Sequence, residues 1–184
     1  MTATAFPGSR QLVATVGIAF GLLLASDELW AQMRASEPDL KAAIIINMAM
    51  FIDWPAQSPL PADKLAICFI DESPVATALA KAQGKNLRNR AITVNKARPD
   101  ALNECNIIYL SSNERGQMQN ILGALKNAPV LIAGDAPELF KQGTMLNLEL
   151  SGGHVVFDID LRAAQKAGLQ ISSKALRLAR QVIE

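Results

Sequence analysis

The sequence predicts a single α/β domain: a mixed, mostly parallel sheet flanked by helices, with a C-terminal antiparallel hairpin and a terminal helix. Three observations carry this. The runs "LAICFID", "NIIYLSS" and "PVLIAG" are short and almost continuously apolar, as strands buried on both faces are. Helical segments alternate with them, which is the order of a domain built on a mostly parallel sheet. Late in the chain, "TMLNLEL" and "HVVFDID" flank Ser151-Gly152-Gly153 and read as a hairpin. The 184 residues suit one domain, and at 50% hydrophobic against 19% charged the composition argues against disorder. No internal repeat, low-complexity tract or linker marks a second domain.

Residues 1–31 read as an address rather than as part of the fold. Arg10 precedes an apolar run from Leu12 to Ser26, and the polar "DELWAQ" follows. This is the order of a cleaved secretory signal, with cleavage after Ala31, or alternatively after Ala25 or Ser26. The run is shorter than the roughly 20 residues a spanning helix needs, so a permanent anchor is the weaker reading. Loss of Arg10, Asp27 and Glu28 moves the net charge from +1 to +2. Such a balance offers no electrostatic case for nucleic acid or for an anionic membrane surface.

The domain opens with a helix from about Leu40 to Asp53, introduced by Pro38-Asp39 and stopped by Pro55, which disfavours helical geometry at Trp54. "QSPLPADK" is a loop, and Leu65 to Asp71 the first strand. Ser73-Pro74 supplies an N-cap and a first-turn proline for the helix "VATALAKAQ". Gly84 ends it, and "RAITVNKA" is the next strand. A short helical turn reaches Leu102, then Asn106 to Ser112 form a strand. "NERGQMQNILGALKN" is an amphipathic helix with Met118, Ile121, Leu122 and Leu125 on one side. "PVLIAG" is a strand, "APELFKQG" a short helix, and the hairpin follows. The terminal helix is expected from about Ser172 to Ile183, with Leu176, Ala179 and Ile183 on one face.

Catalytic chemistry is sparsely represented. Ser111 and Ser112 end a strand without a surrounding G-x-S-x-G. His154 is the only imidazole; it and Asp158 are the residues singled out for a ligand, with Asp160 on the same strand face as Asp158. Lys85, Arg88 and Arg90 in "GKNLRNR" would suit an anion, although a polar loop explains them as well. By analogy with open α/β sheets, a ligand is expected at the carboxyl ends of the strands, which carry Asp71, Glu72, Ser111, Ser112, Gly134 and Asp135. No nucleophile, base and orienting group assemble, so the domain reads as non-enzymatic, without cofactor or metal. Cys68 and Cys105 belong to no C-x-x-C; in an exported protein they are a disulfide candidate closing a loop of about 37 residues, worth about 4 kcal/mol in the chain-entropy model.

The helix "LKAAIIINMAMFIDWP" resembles the signature of the YfiR-like periplasmic proteins. The resemblance continues through "LAICFID", "CNIIYLSS", "PVLIAGD", "FKQGTMLNLEL" and "HVVFDIDLRAAQKAGLQISSKALRLARQV", so a YfiR-like domain is placed at residues 38–184. Gln142-Gly143 stands where relatives carry Gly-Gly, and Asp160 where they carry Asn. Members with four cysteines have a second pair that has no counterpart here. The resemblance implies a periplasmic repressor that binds the sensor region of an inner-membrane diguanylate cyclase and limits cyclic-di-GMP and biofilm formation. Some relatives serve other membrane receptors, and a small-molecule ligand is a further expected partner.

Residues Ile44 to Ile52 are apolar in nearly every helical direction, as in a buried helix. A division of faces is expected, with Ile45, Ala49 and Ile52 in the core and Met48, Phe51 and Trp54 meeting a receptor or a second subunit of a homodimer.

Overall fold

The computed structural model describes residues 35–184 apart from 57–59, 99 and 127. The expected signal, residues 1–31, lies outside the described residues. Helix α1 spans Glu37–Met48; the Ser36 hydroxyl accepts from the Asp39 amide at 3.3 Å, and Glu37 and Asp39 complement the positive end of the helix dipole. The helix stops earlier than Trp54-Pro55 requires. A 3-10 turn at Ala49–Phe51 leads into β1 (Ile52–Asp53), because the chain straightens there to pair with β9 (Gln170–Ile171), Ile52 opposite Ile171.

The sheet elements follow in order: β2 (Lys64–Phe69), α2 (Pro74–Ala80), β3 (Asn86–Leu87), β4 (Arg90–Lys96), β5 (Ile107–Leu110), α3 (Met118–Leu125), β6 (Leu131–Gly134) and α4 (Pro137–Gln142). Then come β7 (Leu146–Ser151), β8 (His154–Asp160), α5 (Leu161–Lys166), β9, α6 (Ser173–Leu176) and β10 (Gln181–Ile183). Among the described residues eight strands form one sheet in the order β10-β8-β7-β6-β5-β2-β4-β3. From β4 through β2, β5 and β6 to β7 all neighbours are parallel; β8 returns antiparallel to β7 as the expected hairpin. Every residue of β5 and β6 is buried, the two-sided burial that their unbroken apolar sequences imply.

The hairpin register separates the two faces. Leu148 lies opposite Phe157, and Phe157 lines a groove with Ile44, Met48 and Phe51 of the α1 segment. Met145, on the other face, lines a cleft with Leu122 and Leu125 of α3 and Ala163 of α5. Ile45, Ala49 and Ile52 are buried in the core, as expected of the inward side of α1.

One difference from the sequence reading and two departures from the family pattern have local causes. The terminal helix exists but makes only one turn, Ser173–Leu176; Gln181–Ile183 instead extend the sheet beside β8. The Arg180 amide donates to the Phe157 carbonyl at 2.8 Å, which starts that ladder. Gln142-Gly143 keeps glycine where it is needed: Gly143 caps α4 at φ 116°, whereas Gln142 is still helical. Asp160 caps α5, accepting from the Ala163 amide at 2.9 Å, a task Asn or Asp performs equally.

Candidate functional site

The carboxyl ends of the parallel strands, the expected ligand position, are occupied by the chain's own side chains. The Lys41 ammonium, on a residue only 6% exposed, lies 2.8 Å from Glu37 and 3.4 Å from Asp135 at the end of β6. Buried Glu114 accepts from the Asp71 amide at 3.0 Å and from the Ser111 hydroxyl at 2.7 Å. The Ser73 hydroxyl, which also caps α2, donates to Tyr109 Oη at 3.4 Å. Burial, reinforced by the negative charge of Asp135, pushes the Tyr109 phenol far above its ordinary pKa. These groups join α1 to the strand ends and satisfy one another, as buried polar groups must.

His154 and Asp158 share one face of β8 but do not converge. His154 is exposed at the hairpin end, and four residues of strand put Asp158 about 13 Å away. Asp158 is 2% exposed, and both of its oxygens are taken by Arg180: Nε donates to Oδ1 at 2.9 Å and Nη2 to Oδ2. Arg180 Nη1 lies 2.7 Å from Glu149, and these hydrogen bonds hold the guanidinium pKa above its ordinary value. Arg180 and Glu149 carried no local signal, because their partnership spans separate strands.

The three contact residues divide between two places. Met48 and Phe51 line an apolar groove of about 160 Å³ with Ile44, Phe157, Ala175 and Leu178. Met48 is its floor, at 4% exposure, and Leu178 is a rim residue, at 69%. Trp54 faces a separate pocket of about 290 Å³ near the amino ends of β4 and β5, with Ile52, Asp53, Pro55, Leu60, Arg90 and Asn106 in its wall. The Arg90 guanidinium lies 4.9 Å from the Trp54 ring centroid, a cation–π contact. Of the three cations in "GKNLRNR", Arg90 alone lines this pocket; Lys85 and Arg88 are exposed.

Cys68 on β2 and Cys105 before β5 form a disulfide with both residues buried. It ties neighbouring parallel strands across 37 residues of chain. Among the described residues no group of three or more His, Cys, Asp or Glu side chains could hold a metal ion, and no helix is long and apolar enough to cross a membrane.

The fold is similar to that of a conserved domain protein from Vibrio cholerae O1 biovar El Tor strain N16961 (TM-score 0.55, 12% identity, 80% of this chain covered). It is also similar to an ABC domain in complex with L-Trp from Streptococcus pneumonia (TM-score 0.51, 10% identity, 79% covered). The chain spans 60% of the length of each of these proteins, and at such identities the likeness concerns the fold alone. Residues 38–180, from the first turn of α1 to the arginine that clasps Asp158, match a sequence family as one continuous stretch, and the chain belongs to that family, YfiR/HmsC-like (DUF4154).

Proposed function

We propose that this protein is a periplasmic, non-enzymatic regulator that binds the sensor region of an inner-membrane diguanylate cyclase and represses it, limiting cyclic-di-GMP and biofilm formation. The observation that carries the reading is the family match over residues 38–180. The contact is assigned to the α1 groove, where Phe51 and the exposed Leu178 flank the buried Met48. A groove of about 160 Å³ has room for one large apolar side chain of the receptor. The same apolar surface serves a homodimer, in which a second copy lies against α1. The non-enzymatic reading draws support from the strand ends, where Lys41, Glu114 and Asp135 are engaged by their own neighbours.

The deciding experiment is intracellular cyclic-di-GMP in a strain lacking the protein, with a Cys68→Ser/Cys105→Ser strain beside it. The expected result is a rise in the deletion strain, matched in the serine strain if the bridge is needed for the fold. An unchanged level while the protein is normally expressed would refute repression of a cyclase. A second reading, a small-molecule-binding protein serving another membrane receptor, draws on the Trp54 pocket.

A further inference from the structure

The buried charges Lys41 and Asp158 are paired with opposite charges, and the half-buried Arg90 is not. Lys41 has Glu37 and Asp135; Asp158 and Glu149 have Arg180; Glu114 has two neutral donors. Arg90 is partly desolvated, which draws its pKa below the ordinary arginine value, yet it forms no ion pair among the described residues. An ionised group taken out of water without a counter-charge is unfavourable, so such a site favours an anion.

The guanidinium is also held in place. Nε and Nη2 donate to the Lys64 carbonyl at 3.0 and 2.8 Å, and the plane is backed by Trp54. The two-residue turn Arg88-Asn89, with Arg88 at φ 54°, sets the start of β4 and so the root of this side chain. Both Nη1 hydrogens remain for an acceptor. Asn106 lines the same pocket and is held in place by the Ala66 amide, from which its Oδ1 accepts at 2.9 Å. Asp53, exposed on the same rim, repels a second negative charge. Ile52, Pro55, Leu60 and Pro61 make the remaining wall apolar.

We propose that this pocket binds a small monocarboxylate with an apolar body, its carboxylate on Arg90 and its body along Trp54. The volume of about 290 Å³ lies at the small end of ligand sites, which run from about 300 Å³ upward. Arginine is suited to the carboxylate because its planar fork matches the two oxygens. The site lies at the amino ends of the strands, opposite the end that fold analogy indicates, and it does not depend on the cyclase reading.

The test is an NMR titration of the full chain with phenylacetate, phenylacetamide and inorganic phosphate, reading the indole N–H resonance of Trp54, identified by its absence in Trp54→Phe. Phenylacetate is expected to shift it saturably, phenylacetamide to bind at least tenfold more weakly, and phosphate to leave it in place. Arg90→Gln should raise the Kd for phenylacetate at least tenfold, whereas Lys85→Gln should change it less than twofold. The acid-versus-amide comparison on the unaltered chain decides the matter even if Arg90→Gln does not fold. Equal binding of acid and amide, no saturable shift, or an unchanged Kd in folded Arg90→Gln would each overturn the assignment. A response to phosphate without one to phenylacetate would overturn it in favour of an inorganic anion.

Discussion

Arg180 closes on Asp158 with Nε and Nη2 while its Nη1 reaches Glu149, so one guanidinium joins the C-terminal strand to both arms of the hairpin. Asp158 is buried and depends on that cation for its charge balance. Arg180→Gln and Asp158→Asn should each lower the urea midpoint, and the double variant should lose less than the sum of the two, because a lone buried carboxylate is worse than none. Strict additivity in a double-mutant cycle would show that the pair is not coupled.

Tyr109 is the only tyrosine of the chain, so phenolate absorbance reports on it alone. Burial raises its folded pKa above the unfolded value of 10.0. Below pH 10 both states hold the proton and the group contributes no pH dependence. Above it the unfolded chain ionises and the native one does not, so stability should fall by about 1.4 kcal/mol per pH unit. An alkaline titration at fixed temperature should show phenolate appearing only with global unfolding. Phenolate formed at pH 10 in a protein still folded by circular dichroism would contradict this burial.

Both sulfurs of the Cys68–Cys105 bridge are in buried residues, which suits a staple rather than a switch. The native protein should resist dithiothreitol until denaturant opens it. The Cys68→Ser/Cys105→Ser variant should lose about 4 kcal/mol in equilibrium unfolding, less whatever structure its unfolded chain retains. Fast reduction in native buffer would mark the bond as accessible and favour a switch.

Leu178 is exposed and contributes to the rim of the α1 groove rather than to the core. Leu178→Glu should therefore change stability by no more than about 0.5 kcal/mol. In cells the same substitution should raise cyclic-di-GMP towards the level of the deletion strain. Full repression by a normally expressed Leu178→Glu protein would move the receptor contact away from this groove.

Where one residue's environment depends on its near neighbours, the sequence is sufficient. The apolar runs of β5 and β6 form strands covered on both faces, and Ser73-Pro74 supply the cap and first-turn proline that begin a helix. Gly152-Gly153, both at positive φ, specify the hairpin turn. The limits appear where a partner lies far along the chain. Leu176, Ala179 and Ile183 have helical spacing, yet Arg180 is drawn to Asp158, 22 residues back, and the helix gives way to a strand. Lys41 looks like a surface charge until Asp135, 94 residues on, is folded against it. Trp54 and Arg90 likewise share a pocket only because α1 runs from the carboxyl ends of the strands towards their amino ends. The sequence by itself therefore determined the central strands, the hairpin and the capped start of α2, since hydrophobic patterning and capping act within a turn or a strand. Tertiary structure alone decided which charges are neutralised and which cation is left for a ligand, because electrostatic pairing depends on distance in space and on burial, and neither is set by neighbours in the chain.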